Sequence, residues 1–290
     1  MERTELTKKL NNGEFVISVQ IDPPSAPVIG ELEKNLDQLI KIGVNLFDIN
    51  SSRRFSYSSI FLAQSLSCLG VRVLPHVTPR QRSVNSLVPE IVLSHNVYHI
   101  DDFLVITGDP FNKKPKIDFS AQNFTSTDSI RVLSTFNSVL RNILGLKVSL
   151  GAAVNQNEDD LTKEGRRVLA KEEAGVDFFM SQPVFNYEQT KELVNFYRQF
   201  SSKPMVVGIW PLIYESMVEK IKAGSIEGVV VPEDVYDQSK QQSDLRNWGL
   251  TQAGHLIEDL KHNPDIQGVY IVAPARNPLH LTDLLARVLT

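Results

Sequence analysis

The 290-residue chain reads as an α/β protein, a single-domain (β/α)8 TIM barrel over residues 1–290 with extra helices before the last strand. Three observations predict it. Short β-branched runs alternate with helical patterns, as in repeated βα units around a parallel sheet. Eight such units can be counted along the chain. No composition shift or low-complexity linker marks a domain boundary, and barrels of this kind typically take about 250 residues. A doubly wound open sheet would show the same alternation. The first strand, however, runs into Pro23 and Pro24 rather than a glycine-rich phosphate turn, so the marker of a Rossmann nucleotide site is missing.

The expected strands, in order, are FVISVQID (15–22), NLFDIN (45–50), VRVLPHVT (71–78), DFLVITG (102–108), KVSLGAAV (147–154), DFFMSQPV (177–184), PMVVGIWPL (204–212) and GVYIVAP (268–274). Most are too continuously apolar for a sheet wetted on one face. The clearest helix is ELEKNLDQLIKIG, where Leu32, Leu36, Leu39 and Ile40 form one apolar stripe. Gly43, Gly70, Gly145, Gly175 and Gly224 each follow a helical pattern, the place where a left-handed cap favours glycine. Between about Glu227 and Asn263 the rhythm breaks, and one or two extra helices are expected before the last strand.

With 42% hydrophobic and 22% charged residues the chain can bury a large core. A net charge of -4 gives no reason to expect nucleic-acid binding, which rests on clustered Lys and Arg, so a small-molecule partner is the default. Cys68 is the only cysteine, which rules out an internal disulfide and a cysteine-rich zinc site. No apolar run reaches the roughly 20 residues needed to cross a bilayer. The charged start MERTELTKKLNNGEF is unlike a signal peptide, so a soluble, cytoplasmic protein with no membrane partner is expected.

Chemistry in such barrels sits at the C-terminal strand ends. Polar residues expected there are Gln20 and Asp22, Asn50, His76 and Thr78, Thr107 and Asp109, Asn155, and Gln182. Gln20 and Asp22 are two apart and leave a regular strand by the same face. A plainer role is open to each: Asp22 can stabilise the turn into the prolines, and Gln20 can fill a polar barrel layer. His76 is a general-acid candidate by residue type. His95, His99, His255, His262 and His280 show no metal-ligand spacing, and no metal site is expected. Gly108 beside Asp109 would let a flat ligand approach the backbone.

Taken in order, VQIDPP, PHVT, ITGDP, GVDFFMSQPVF, VVGIWPL and EGVVVP resemble methylenetetrahydrofolate reductase over nearly the whole chain. The wording is most similar to the reductase half of bacterial proteins that fuse a homocysteine methyltransferase to such a reductase. The resemblance implies a barrel holding FAD, with NADH or NADPH as co-substrate and a folate as substrate, and reduction of methylenetetrahydrofolate to methyltetrahydrofolate. It leaves open a homo-oligomer or a methyltransferase partner.

Carried over by the same resemblance, Asp109 lies near the flavin's pyrimidine edge and the pterin. A fixed negative charge there disfavours the anionic reduced flavin, since charges 4 Å apart interact by about 4 kcal/mol at an effective dielectric near 20. Gly108 allows close approach. Asn50 and His76 match flavin-contact positions, although threonine is commoner at the former, and Lys171 aligns with a cofactor-contacting basic residue. Thr107 stands where some members carry arginine, and Asn155 completes the cofactor set. Gln182 matches a glutamine that contacts folate or nicotinamide, and Arg276 an arginine at the substrate mouth.

The departure is Gln20, where the resemblance implies a catalytic glutamate that protonates the folate N10. A carboxamide cannot supply that proton, and loss of a general acid typically costs about 10²- to 10⁴-fold. Three functions follow as alternatives. One is a working reductase in which Asp22, or a water held by Gln20, delivers the proton. Another is a flavin- or folate-binding partner or sensor without catalysis. The third is a flavin oxidoreductase with another substrate.

Overall fold

The computed structural model describes residues 3–24, 29–51, 57–79, 82–107 and 129–289. Eight parallel strands close into a barrel in chain order, so the expected closed barrel is observed and the open sheet is not. The strands are β1 (Val16–Ile21), β2 (Leu46–Ile49), β3 (Arg72–Val77), β4 (Asp102–Val105), β5 (Ser149–Ala153), β6 (Phe178–Val184), β7 (Met205–Ile209) and β8 (Gly268–Val272). Each falls inside its expected segment. Closure is made by β1 against β8, with Val16 opposite Gly268 and Gln20 opposite Val272.

The helices around the barrel include α2 (Ile29–Lys41), α3 (Ser59–Ser67), α4 (Val84–Tyr98), α5 (Ser129–Phe136), α6 (Leu161–Glu173), α7 (Tyr187–Tyr197) and α8 (Glu215–Lys222). In α2, Leu36 and Leu39 are fully buried and Leu32 and Ile40 pack against the same core, the stripe its spacing predicts. All five helix-capping glycines named above have positive φ, from 65° at Gly224 to 105° at Gly43. The break before the last strand holds α9 (Glu233–Lys240) and α10 (Leu245–Lys261), and α11 (Thr282–Val288) closes the ring. No helix among the described residues is long and apolar enough to cross a membrane.

Strand alternation sorts the apolar residues into two layers. Outward residues such as Val19, Ile21, Phe47 and Ile49 pack under the helices. Inward residues Val16, Leu46, Leu74, Leu104, Phe178, Met180, Val206 and Tyr270 fill the barrel. The large rings need small partners. A Cβ on Gly151 would lie 2.4 Å from the Phe178 ring, and one on Gly208 would lie 2.5 Å from the Tyr270 hydroxyl.

A helix absent from the sequence reading, α1 (Glu5–Asn11), plugs the N-terminal end of the barrel. Its seven residues offer only Leu6 and Leu10 to the core, too few for a helical period to register, yet both are buried against the barrel interior. Thr4 caps the helix and donates 2.7 Å to Asp102 Oδ1, while Thr7 meets Ser149 Oγ at 2.5 Å. Burial pushes the Asp102 carboxyl up to about 7, against the lowering effect of the Thr4 hydrogen bond. Among the described residues this floor closes the N-terminal end, and the opposite, C-terminal end holds the larger cavity.

Candidate functional site

The C-terminal strand ends surround a cavity of about 530 Å³. Six of the residues singled out from sequence line it together: Gln20, Asp22, Asn50, His76, Gln182 and Arg276. They arrive from β1, β2, β3, β6 and the segment after β8, so the barrel closure assembles a group scattered over some 250 positions. Leu104, Ile106, Met180 and Val272 supply apolar wall between them.

Three local features aim these side chains. Asn50 Nδ2 donates 2.9 Å to Asp22 Oδ1, bridging the first two strand ends, and Asp22 Oδ2 lies 3.8 Å from Arg276 Nε. Arg276 and its neighbour Ala275 both have positive φ, 62° and 50°. Two consecutive non-glycine residues in the left-handed region carry a backbone cost, a kind of strain that clusters at ligand sites. Finally, β6 slips register between Met180 and Pro183, placing Ser181 and Gln182 opposite the single residue Val207. Such an extra residue bends a strand and re-aims its side chains. Gly208 N–H donates 3.1 Å to Ser181 Oγ and the Tyr270 hydroxyl donates 2.7 Å to Ser181 O, locking the irregularity.

Below the mouth lies a residue that the sequence reading missed. Asp48 of β2 sits in register with Gln20 of β1, is fully buried, and accepts 3.0 Å from Ser18 Oγ at Oδ2. Its Oδ1 faces His76 Nε2 at 3.3 Å, and neither atom has a hydrogen-bond partner among the described residues. Tyr270 is close enough that burial first, and the Asp48 charge second, hold its phenol protonated well above the ordinary range. The available signal was an acid inside the otherwise apolar run LFDI, which in a buried strand demands a partner.

The remaining predicted residues lie beside the cavity or outside the described chain. Lys171 of α6 is buried, with Nζ donating 2.6 Å to the carbonyl of cavity-lining Ala153 and standing 3.8 Å from Glu164. The Asn155 backbone N–H donates 3.0 Å to Glu164 Oε1, and the Asn155 and Gln182 side chains both lie beside Gly228. Thr107 is exposed, and its hydroxyl donates 3.0 Å to Ser129. Gly108 and Asp109 fall outside the described residues. Trp210, Lys220 and Glu227 line the cavity and were not singled out. Trp210 also lines a second cavity of about 260 Å³ bounded by α7, α9 and α10.

The donor set suits a flat, polar heteroaromatic ring. Amides at 20, 50 and 182 each offer both a donor and an acceptor, and the wall beside them is apolar. Trp210 Nε1 and His76 Nε2 are buried without a hydrogen-bond partner. That chemistry fits a pteridine and an isoalloxazine alike, and Lys220 and Arg276 at the rim match an anionic tail. Among the described residues no His, Cys, Asp and Glu cluster could hold a metal ion.

Comparison with known proteins gives the same direction. Residues 5–279 match the family model described as methylenetetrahydrofolate reductase. A solved structure from Clostridium thermocellum, described as an uncharacterized protein that binds two copies of 5-methyl-5,6,7,8-tetrahydrofolic acid, is similar with a TM-score of 0.70, 16% identity and 99% of both chains covered. A 2,3-dimethylmalate lyase of the PEP mutase/isocitrate lyase superfamily aligns with a TM-score of 0.55, 10% identity, and 93% of this chain and 80% of that chain covered. Tryptophan synthase from Mycobacterium tuberculosis does so with a TM-score of 0.55, 11% identity, and 99% and 97% covered. At these identities the likeness shows the fold alone. No curated protein sequence matches.

Proposed function

Since the chain belongs to the methylenetetrahydrofolate reductase family, we propose that it reduces 5,10-methylenetetrahydrofolate to 5-methyltetrahydrofolate, with FAD bound at the barrel mouth and NADH or NADPH as co-substrate. The observation that carries this reading is the convergence of Gln20, Asp22, Asn50, His76, Gln182 and Arg276 on one apolar-walled cavity. A cytoplasmic setting goes with it.

The flavin supplies two-electron hydride chemistry when bound. On this reading Asn50 and His76 contact its ring, and Gly108 and Asp109 carry the same assignment from the sequence resemblance. Lys171 supports the ligand wall from one layer behind, through the Ala153 carbonyl, and Asn155 lies near Gln182's neighbour Gly228. Thr107 lies on the strand 4 side. Gln182 offers its carboxamide to the folate or nicotinamide ring. Arg276, at the rim, faces the folate's carboxylates, and its strained backbone holds the guanidinium over the mouth.

A second reading is favoured by one specific observation, the carboxamide at position 20. A folate-binding protein that turns nothing over needs no acid there. The two are separated by anaerobic stopped-flow absorbance on the purified protein supplied with FAD. The reductase predicts flavin bleaching by NADH or NADPH, followed by reoxidation on mixing with methylenetetrahydrofolate. A protein that binds folate while its flavin is neither bleached nor reoxidised is the binding module instead.

A further inference from the structure

The cavity needs a proton donor, and position 20 holds an amide. The acids on its lining among the described residues are Asp22 and Glu227. Asp22 accepts a hydrogen bond from Asn50 and faces the Arg276 guanidinium, an arrangement that suits an acceptor rather than an acid. Asp48 and His76 lie directly below.

We propose that Asp48 and His76 form the acid–base pair of this site, with His76 the catalytic residue that exchanges a proton with the ligand and Asp48 the positioning residue behind it. The proposal rests on the reductase reading above. His76 lines the cavity and Asp48 does not, so only the imidazole can touch a ligand. Ser18 fixes one carboxylate oxygen, and the other faces His76 Nε2, 3.3 Å away. Nε2 is the ring nitrogen that faces Asp48, which leaves Nδ1 as the nitrogen that serves the ligand. The geometry is that of a base oriented by a buried carboxylate. The buried Asp48 carboxyl, 3.3 Å from Nε2, holds the imidazole in place at the cavity wall.

The step balances without a further reactant. The Nδ1–H bond of the imidazolium breaks as an N–H bond forms on the folate amine nitrogen that leaves the bridging carbon. The C–N electron pair passes to that nitrogen, the remaining one-carbon unit becomes an iminium, and His76 is left neutral. Water at the open mouth returns the proton. Other titratable or charged groups near the pair are Tyr270 from β8, and Asp22, Arg276, Lys220 and Glu227 sharing the cavity.

The test uses the pre-reduced holoenzyme and follows its reoxidation by methylenetetrahydrofolate across pH, beside equilibrium binding of 5-methyltetrahydrofolate. Asp48→Asn and His76→Gln should each slow reoxidation by about 10²-fold or more and flatten the pH profile. The double variant should be no slower than the His76 variant, since the two act as one unit. Adding Gln20→Glu to Asp48→Asn should restore most of the loss, which also shows that the variant folds. Normal reoxidation in Asp48→Asn, or no restoration by Gln20→Glu, overturns the pair. If the unaltered protein fails to bind 5-methyltetrahydrofolate, the folate reading itself falls and the pair with it; binding with an unaffected Asp48 variant removes the pair alone.

Discussion

Asn50 holds Asp22 across the barrel mouth by a 2.9 Å hydrogen bond, which turns the other carboxylate oxygen toward Arg276. The bond joins the ends of adjacent strands, so it sets the shape of the rim as well as the direction of one side chain. Asn50→Ala should therefore release Asp22 onto the guanidinium and weaken folate binding by about tenfold, the scale of one lost hydrogen bond. Isothermal titration with 5-methyltetrahydrofolate measures it.

The two left-handed residues at the mouth make the opposite kind of prediction. Ala275 adopts φ 50°, a region that costs a non-glycine residue roughly 1–2 kcal/mol. Ala275→Gly should remove that cost and raise thermal stability by up to about 1 kcal/mol, with glycine's larger unfolded-state entropy offsetting part of the gain. Ligand affinity should fall because Arg276 is no longer held in place. A melting curve and a titration on the same preparation read both effects.

Packing inside the barrel is tested at Gly208, where an added Cβ would meet the Tyr270 hydroxyl at 2.5 Å and its ring carbon Cζ at 2.6 Å. Gly208→Ala should cost about 1–3 kcal/mol of stability, as overpacking does, and displace the Tyr270 hydroxyl from the Ser181 carbonyl. Tyr270→Phe, which removes the hydroxyl without adding bulk, should cost about 1 kcal/mol. Denaturant unfolding distinguishes the two.

At the barrel floor, the Asp102 carboxyl is raised by burial to about 7 from an ordinary value of 3.8. The folded protein thus holds the proton more tightly than the unfolded chain. The stability this contributes is fully present below about pH 4 and is lost as pH rises through about 7. Asp102→Asn, which mimics the protonated acid, should abolish that decline, and the difference between the variant and the unaltered protein should grow in the variant's favour from pH 5 to pH 8. Urea unfolding at a series of pH values measures it. Leu10→Ala, which unseats the plug from the same floor, should cost about 2–5 kcal/mol at every pH.

The eight strands were legible because each apolar run has strand length, and β2, β3, β5 and β6 each follow a glycine whose left-handed φ the helix end requires, as at Gly43 and Gly175. The convergence of Gln20, Gln182 and Arg276 was legible because barrel chemistry gathers at strand ends. What was not legible depends on contacts between distant residues. The floor helix α1 has only Leu6 and Leu10 to mark it, and its docking is decided by the barrel interior. The pairing of Asp48 with His76 follows from strand register, which puts Asp48 opposite Leu74, two residues before His76, across β2 and β3. The slip at Ser181 and Gln182 exists because β6 carries one residue more than β7 between paired positions, and nothing in SQPV announces that count.

The central claim is that the barrel mouth is the folate site. Equilibrium titration of 5-methyltetrahydrofolate against the unaltered protein, Gln182→Leu and His255→Ala tests it most directly, since Gln182 lines the mouth and His255 the second cavity. Saturable binding, weakened tenfold or more by Gln182→Leu and unchanged by His255→Ala, is the predicted result. Binding that is indifferent to Gln182 and lost with His255 would contradict it, as would no binding at all.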